Sequence, residues 1–597
     1  MRRLRFCVLA CMALAAGCHG IHAKYTPLKV LMRHRAENRA AREGDPDPAC
    51  TARTLEAGLS DHPDAATLLA LADSCHRAAH RLSAEASRPW YRDAAVYAAF
   101  AVAASEDPCI CLQAQTIHNQ AVERLIRQAQ AWRVRGDRQW QCTLTDLNIE
   151  LNGPRFLCPC RFTNIDVASD YAVSGLECEY RNDGFGLPVI ARRDNDRECP
   201  TDPEDRYFSY RIHAAATAAI LPHGTPCNWR DHKTTLTFFD PFAQRTASVA
   251  GRCVTLATDR STPLAVQEQF SSLEVLRRVG VLRPDRVRKD ERGLYMYQPY
   301  RPGKIPLVLV HGFYSSPSTW SQVVNHIQND PELSERYQVW LFLYPTGAPL
   351  TASAADFRST LRKAIDFFDP CGRDPALRQM VVVGHSMGGL ISKMAVMESG
   401  DCLWRAYFNT PFDAIQASPK VKDRLEETLF LHPEPYIRRM IFVAAPHRGT
   451  IKACLIPGQF IQERIHHPLE LREIIREVIR CNGRSVVADG VRARPLNGVG
   501  NMSIHDPALK ALLCLPIAVP FHSIIPQVSL LGHQLNTDGI VRYRSSHLDG
   551  AESEKITRGF HTSHSKQDFT EELKRILHDN LNGSGLPPVV SLDEKKP

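Results

Sequence analysis

The spacing of apolar residues changes twice along the chain and divides it into three regions. From residue 24 to about 135, apolar side chains recur at helical spacing among alanines, as from Tyr97 to Val102, which predicts a helical region. Short, partly alternating runs separated by Gly, Pro, Asn and Asp clusters predict a β-rich domain over 136–285. From 294 to 580, nearly all-apolar runs alternate with helical patterns. This predicts an α/β domain with a mainly parallel sheet that is covered on both faces.

The same pattern predicts individual elements. In the β-rich domain, strands are expected at Thr235 to Phe239 and at Ser248 to Val254. In the α/β domain, strands are expected at Leu307 to Val310, Gln338 to Tyr344, Met380 to Val383, Met440 to Ala444 and Ser523 to Ile525. Helices are expected there at Phe357 to Phe368 and at Leu390 to Glu398. The stretch 286–292 is a charged connector, and 584–597 is expected to be a disordered polar tail.

The helical region contains a phrase typical of helix-pair repeats. Trp90 to Tyr97, followed by Asn119 to Val122, is similar to repeats of the tetratricopeptide type, although the period is irregular. Two interpretations stay open: the region binds a protein partner, or it is a helical layer that only stabilises the fold.

The first residues carry the features of an export signal. Three arginines lie among the first five residues, and the apolar stretch Phe6 to Ala16 that follows is too short to span a bilayer. It leads into Cys18 in a sequence that resembles a bacterial lipobox, so residues 1–18 predict a signal peptide and lipidation of Cys18. We therefore expect an exported protein of the bacterial cell envelope, lipid-anchored to the membrane on the periplasmic side or at the surface. Cleavage after Ala23 without lipidation is the alternative.

Cysteine content and charge restrict the cellular compartment, the metal sites and the binding partners that the sequence allows. Sixteen cysteines lie from Cys50 to Cys514, which suits an oxidising compartment and predicts disulfides. None belongs to a C-x-x-C pair, and the C-x-C pairs at Cys109 and Cys158 are poorly spaced for zinc. No ligand cluster indicates a metal site, and no cofactor is expected. The formal net charge of +8 is not concentrated in a basic block, and no nucleic-acid partner is expected.

The strongest chemical motif is the stretch Val381 to Gly389. A β-type run enters G-x-S-x-G and a helical pattern follows, an arrangement that lifts the serine hydroxyl above the edge of a sheet. The flanking glycines are expected because side chains would clash in so tight a turn. Ser386 is therefore the predicted nucleophile.

A serine hydroxyl needs a base, and the base needs an acid that orients it. With a nucleophile on a strand–turn–helix motif, the chain order is serine, acid, histidine. His564 stands on a short loop before an amphipathic helix and is the predicted base, with His561 as the alternative. Asp538, in an Asp-Gly turn after a late strand, is the predicted acid, and Asp549 is its competitor.

Two backbone N–H groups are expected to stabilise the negative charge that develops on the substrate oxygen. Met387 directly follows the nucleophile and should supply one of them. Phe313 follows His311-Gly312 at the end of an early strand and should supply the other. A plain turn at His311-Gly312 is the alternative interpretation.

In combination, these motifs resemble the lipase-like α/β-hydrolases, a group that includes bacterial triacylglycerol lipases and inositol-lipid deacylases. The ordered set consists of His311-Gly312-Phe313, Gly384 to Gly389, Ala445 to Thr450, and Asp538-Gly539 through Ser545-Ser546-His547-Leu548. The resemblance covers about residues 300 to 580. It implies a triad of Ser386, Asp538 and His564 and an oxyanion hole framed by Phe313 and Met387. Arg542 departs from the pattern, because proline is common there.

The combined expectation is an exported serine hydrolase, an esterase or lipase that cleaves a small-molecule or lipid ester through an acyl-serine intermediate. Thioester or amide hydrolysis on the same fold is an alternative, and so is an envelope scaffold with an inactive hydrolase domain. The insertion 399–437 is rich in apolar residues among charges. It predicts either a lid over an acyl pocket or a cap that only packs.

Overall fold

The structure is a computed structural model that describes residues 21–26, 47–60, 62–133, 140–270, 279–281, 283–450, 469–489, 497–498, 500–528 and 537–584. The predicted signal peptide with Cys18 lies outside the described residues, as does the predicted tail from residue 585 onward. The described chain divides into two compact units. The N-terminal unit comprises Ile21–Asn195 and Tyr210–Phe270, and the C-terminal unit comprises Asp196–Ser209 and the chain from Ser271 onward.

The N-terminal unit contains the predicted helical region and the predicted strands. Its helices are α1 (Pro48–Ala57), α2 (Ala65–His80), α3 (Ala84–Ala104), α4 (Pro108–Arg133), α5 (Trp140–Thr145) and α6 (Ser261–Phe270). Its strands are β1 (His22–Tyr25), β2 (Ile149–Asn152), β3 (Asn164–Val167), β4 (Tyr171–Ser174), β5 (Arg181–Asn182), β6 (Leu187–Asp194), β7 (Arg211–Leu221), β8 (Thr234–Phe239), β9 (Thr246–Val249), β10 (Arg252–Thr255) and β11 (Thr258–Asp259). Five of them form a sheet in the order β2-β8-β7-β6-β3, in which only the β2–β8 pair is parallel.

The run from Ser248 to Val254 is a hairpin, and its prediction as one strand is wrong. Ala250 and Gly251 both have positive φ values, 45° and 88°, and form the turn between β9 and β10. Two consecutive residues with positive φ are what a two-residue hairpin turn of type I′ requires.

The predicted boundary near residue 135 does not separate two compact units, because side chains of α4 bind the segment before β6. The rings of His118 and Phe185 stack with centroids 4.0 Å apart. The Asn119 side chain donates to the Gly184 carbonyl at 2.9 Å and accepts from the Gly186 N–H at 2.8 Å. The long helix therefore belongs to the same core as the sheet.

The C-terminal unit contains a seven-stranded, mainly parallel sheet among its described residues. Its strands are β12 (Gly293–Met296), β13 (Ile305–Val310), β14 (Tyr337–Leu343), β15 (Met380–His385), β16 (Ile437–Val443), β17 (Phe521–Gln527) and β18 (Ser553–Arg558). Their order is β12-β14-β13-β15-β16-β17-β18, with only β12 antiparallel to its neighbour. Its helices are α7 (Ser321–Asn329), α8 (Pro331–Arg336), α9 (Leu350–Phe368), α10 (Met387–Lys393), α11 (Cys402–Tyr407), α12 (Pro419–Leu429), α13 (Leu469–Asn482), α14 (Pro507–Leu513), α15 (Tyr543–Ser546) and α16 (Gln567–Ser584).

The central strands are covered on both faces. Every residue of β13 and β15 is buried, and successive side chains of a strand point to opposite faces of its sheet. This confirms the predicted α/β fold class with a doubly covered sheet, and all five predicted strands are present. Strands β12 and β18 were not predicted. Both lie at the edges of the sheet, and β18 has only one buried residue, Thr557, so it shows no apolar run.

The insertion 399–437 packs several of its aromatic side chains against one another. The Trp404 ring stacks on Phe408 with centroids 4.2 Å apart and meets Phe412 edge-on at 5.0 Å. The Trp404 Nε1–H donates to the Thr410 carbonyl at 2.8 Å. These contacts show packing within the insertion, which a lid and a cap would share, so both interpretations stay open.

Three further features concern cysteines, membranes and metals. None of the described cysteines forms a disulfide, so the predicted disulfides are not confirmed. In the part of the chain that the structure describes, no helix combines the length and apolar character that crossing a membrane requires. No cluster of His, Cys, Asp and Glu within those residues is arranged to hold a metal ion.

Candidate active site

The turn between strand β15 and helix α10 carries Ser386. Its backbone has φ 52° and ψ −122°, a conformation that costs a non-glycine residue about 1–3 kcal/mol. The Ser386 N–H donates to the Val443 carbonyl on β16 at 2.8 Å, which ties the turn to the neighbouring strand. Tyr314 and Ala444, in the segments that follow β13 and β16, also have positive φ values. Strained backbone thus collects at the carboxyl edge of the sheet, where open α/β sheets bind ligands.

Close packing requires both glycines that flank Ser386. A Cβ atom at Gly384 would lie 2.6 Å from the Cα atom of Gly389, and one at Gly388 would lie 2.5 Å from the Val310 carbonyl oxygen. Both distances are far inside van der Waals contact, and the clashing atoms belong to the backbone. The expectation that side chains would clash at these two positions is confirmed.

His561 lies between Ser386 and Asp538. Its Nε2 is 2.8 Å from Ser386 Oγ, and its Nδ1 is 2.6 Å from Asp538 Oδ2. All three side chains are buried. Because the Nδ1–H donates to the carboxylate, Nε2 presents a lone pair to the serine hydroxyl. The imidazole is therefore oriented to accept the hydroxyl proton.

The prediction that His564 occupies this position is wrong. His564 lies in the short 3₁₀ turn Ser563–Ser565, and its Nε2 is 2.6 Å from Thr319 Oγ1 rather than near Ser386. Its ring lies against Trp320, with centroids 5.1 Å apart. Burial lowers the pKa of His564 to about 3, so its side chain is neutral at ordinary pH.

The loop that bears the histidine was identified correctly, but the residue within it was not. His561 is the third residue after strand β18, and His564 is the third residue before helix α16. Since β18 has no apolar run, the sequence offered only the helix as a reference point. A strand recognised at Ser553–Arg558 would have indicated His561.

Asp538 occupies the predicted Asp-Gly turn. Its Oδ1 accepts hydrogen bonds from the N–H groups of Ile540 at 2.8 Å and Val541 at 2.7 Å. Gly539 has a φ of 93°, as the bend requires. One carboxylate oxygen is thus fixed by the backbone, and the other is left for His561.

The structure also places the competing acid and the departure from the family pattern. The Asp549 side chain is 92% exposed and lies 3.2 Å from His547 Nε2, away from Ser386. Arg542 has φ −78° and ψ 146°, a backbone that proline also adopts. The departure at Arg542 therefore leaves the backbone of the acid loop compatible with the family pattern.

The segment after β16 supports the acid turn. Thr450 Oγ1 donates to the Ile540 carbonyl at 2.7 Å, and Ser545 Oγ donates to the Gly449 carbonyl at 2.6 Å. Two stretches that carry the resemblance, Ala445 to Thr450 and Asp538 to Leu548, are therefore hydrogen-bonded to each other.

The segment after β13 passes beside Ser386. A Cβ atom built on Gly312 would lie 3.0 Å from Ser386 Cβ, so the backbone leading to Phe313 runs next to the hydroxyl-bearing residue. Met387 opens helix α10, and N–H groups in the first turn of a helix have no intrahelical acceptor. The two backbone segments predicted to supply N–H donors thus flank Ser386.

Comparison with known proteins gives one family match. The model of the alpha/beta hydrolase family matches residues 307–494, a range that includes Ser386 and ends before Asp538 and His561. No curated protein matches the chain in sequence.

Several solved structures are similar at low identity. Bacillus licheniformis lipase BlEst2 in mature form is 16% identical over 48% of this chain and 97% of its own, with a TM-score of 0.28. The metagenomic carboxyl esterase MGS0156 is 14% identical over 52% of this chain and 91% of its own, with a TM-score of 0.26. Esterase B from Lactobacillus rhamnosis is 14% identical over 51% of this chain and 84% of its own, with a TM-score of 0.28. At these values the similarities say nothing about substrate.

Proposed function

We propose that this chain is a serine hydrolase that cleaves carboxylic esters through an acyl-Ser386 intermediate. The match of residues 307–494 to the model of the alpha/beta hydrolase family supports this proposal. The observation that carries the proposal is the continuous hydrogen-bonded series from Ser386 Oγ through the His561 ring to the Asp538 carboxylate. A serine hydroxyl is weakly nucleophilic until a base takes its proton, and this series supplies both the base and the group that orients it.

In the first half-reaction, Ser386 Oγ attacks the ester carbonyl carbon while His561 Nε2 takes the hydroxyl proton. The imidazolium that forms is stabilised by the Asp538 carboxylate, which lies 2.6 Å from Nδ1 and is only 2% exposed. Collapse of the tetrahedral intermediate breaks the bond to the alcohol oxygen, and His561 gives the proton to that oxygen. The alcohol leaves, and the acyl group stays on Ser386.

In the second half-reaction, water attacks the acyl carbon and His561 takes a proton from it. The bond to Ser386 Oγ breaks, the proton returns to that oxygen, and the carboxylic acid leaves. In both halves a negative charge develops on the carbonyl oxygen, and we assign its stabilisation to the N–H groups of Phe313 and Met387. The loss of one such donor typically lowers kcat by about 100- to 1,000-fold.

A fluorophosphonate probe tests the proposal on the full chain. We expect covalent labelling of the wild type, no labelling of Ser386→Ala, and labelling of the control Ser392→Ala. Ser392 is buried on helix α10, which follows Ser386, and its hydroxyl donates to the Gly388 carbonyl at 2.7 Å. The control therefore reports on packing without changing the reacting oxygen. A folded wild type that does not label would favour the alternative of an inactive scaffold.

A series of p-nitrophenyl esters with short to long acyl chains measures the preference for acyl chain length. Faster turnover of long chains would indicate a lipase, and activity on acetate alone would indicate a small-ester esterase. Thioester and amide analogues of the best ester complete the series, because the triad chemistry itself permits all three. Rates on the amide or thioester above that of the ester would overturn the ester assignment.

Export and lipid anchoring belong to the same proposal. Labelling with a radioactive fatty acid in a bacterial host should tag the wild type and not Cys18→Ala. Absence of the label from the wild type would indicate that the signal peptide is cleaved without lipidation. A protein partner for the helical region stays a prediction, which a pull-down with the intact chain would test.

A further inference from the structure

The residue before Ser386 holds the main chain of the proposed catalytic base. His385 Nε2 is 2.9 Å from the carbonyl oxygen of His561. Because a carbonyl can only accept, the Nε2 nitrogen of His385 must carry the proton and donate it. The two rings lie with centroids 5.0 Å apart. The His385 ring thus contacts both the main-chain carbonyl and the ring of His561.

The surroundings of His385 restrict it to this neutral form. Burial, together with the neighbouring imidazoles of His564 and His561, holds the pKa of His385 well below its usual range. Its Nδ1 is buried without a hydrogen-bond partner among the described residues. A Cβ atom at Gly312 would lie 2.8 Å from that nitrogen, so the backbone closes this side of the ring. The only described hydrogen bond that the His385 side chain makes is the one to His561.

His564 supports the His385 ring. The two rings lie with centroids 4.2 Å apart and planes 38° apart. His564 is in turn held by Thr319 Oγ1, 2.6 Å from its Nε2, and by the Trp320 ring. A short chain of packed groups therefore runs from Thr319 and Trp320, directly before helix α7, to the carbonyl of His561.

We propose that His385 is a positioning residue for the reaction at Ser386, acting through the main-chain carbonyl of His561, and that His564 braces it. This inference rests on the proposed function. It follows from the way His561 is anchored: the ring is held at Nδ1 by the Asp538 carboxylate, the N–H donates to the Asp538 carbonyl at 2.9 Å, and the carbonyl accepts from His385. Without the third contact, the loop can rotate about the first two, and the distance of 2.8 Å from Nε2 to Ser386 Oγ is no longer fixed.

The test compares substitutions that keep or remove the donor at the position of Nε2. Gln places an amide nitrogen near that position, Asn is one carbon too short, and Leu has no donor. We expect His385→Leu and His385→Asn to lower kcat for p-nitrophenyl butyrate about 10- to 100-fold with KM within twofold, since a misplacement of about 1 Å costs up to about 100-fold. His385→Gln should recover most of the loss. All rates are expressed per fluorophosphonate-labelled site, which removes unfolded protein from the comparison.

A double-mutant cycle separates positioning from a general effect on packing. Asp538→Asn already removes the function of His561 as a base, so adding His385→Leu to it should lower kcat less than threefold further. The matched control is His118→Leu, which replaces a buried histidine of the N-terminal unit whose ring stacks on Phe185. This control should keep kcat within twofold.

Equal kcat values for the Gln and Asn variants would overturn the positioning role, as would full additivity in the cycle. If the Leu variant does not fold, the comparison of Gln with Asn decides, because both are polar and leave similar packing. Failure of the wild type to label at Ser386 would overturn the proposed function itself. Normal labelling with an unaffected His385→Leu would overturn only this inference.

Discussion

Replacing Asp538 with Asn changes one atom of the proposed triad and reverses a hydrogen bond. In the wild type, Oδ1 accepts from the N–H groups of Ile540 and Val541, and Oδ2 accepts from His561 Nδ1. The amide has one oxygen, and the two backbone donors retain it. Its NH₂ group then faces Nδ1, so His561 must take the tautomer with its proton on Nε2. That nitrogen can no longer accept the proton of Ser386.

The expected magnitude follows from this loss of the base. A wrong tautomer in a Ser-His-Asp triad costs about 10⁴-fold in kcat, which corresponds to about 5.4 kcal/mol in the activation barrier. KM should change little, because the Asp538 side chain is 2% exposed and lies behind the imidazole, away from the reacting hydroxyl. The thermal midpoint should change only slightly, because the two side chains have nearly the same shape.

Hydrolysis of p-nitrophenyl butyrate at pH 7.5 measures kcat and KM for this variant. The matched control is Asp549→Asn, since the Asp549 carboxylate is 92% exposed and pairs only weakly with His547 at 3.2 Å. The control should keep kcat within twofold. An Asp538→Asn enzyme that keeps more than a tenth of wild-type kcat would refute the reasoning, and a large loss in the control alone would transfer the role to Asp549.

Three further predictions test the site and its support. His561→Gln should lower kcat by at least about 10⁴-fold and His564→Phe by no more than about 100-fold, and the opposite order in the same assay would return the base to His564. Gly388→Ala adds a Cβ against backbone oxygens and should lower the free energy of unfolding by about 1–3 kcal/mol. In the control Gly583→Ala, the added Cβ meets nothing within 4 Å. Equal thermal midpoints for the two variants would contradict this prediction. Burial lowers the folded-state pKa of five histidines of the C-terminal unit, namely His311, His385, His447, His522 and His564. The unfolded chain then binds more protons below about pH 6.5, so stability present at neutral pH should fall by about 2 kcal/mol per histidine at pH 5. Urea unfolding curves that coincide at pH 7.5 and pH 5 would exclude this effect.

Local features allowed the nucleophile and acid turns to be predicted. The strand, the tight turn and the helix around Ser386 follow from consecutive residues, because apolar β-type residues, two glycines and a helical pattern act on neighbouring backbone. The turn at Asp538 is similarly local, since Gly539 supplies the positive φ that the bend requires. Burial of the central strands was predictable because their runs are nearly all apolar.

Strands at the edge of the sheet and boundaries between units are harder to predict from the sequence. Strand β18 contains charged and half-buried residues, so it shows no apolar run from which a strand could be predicted. The helical region appeared separate from the strands that follow it. Contacts over long sequence separations, such as that of His118 with Phe185, join them in one unit. Periodicity within a segment carries no information on which other segment covers it.

The sequence by itself determined the fold class, the position of Ser386 and the short loop that must bring a histidine to it. Only the tertiary structure decided between His561 and His564, which are three residues apart on that loop. Which of the two histidines reaches Ser386 depends on where strand β18 ends and where the 3₁₀ turn Ser563–Ser565 begins. Those two points direct one imidazole to Ser386 and the other to Thr319. The directions of two side chains on one short loop are set by the packing of distant segments around it, and the local sequence does not encode that packing.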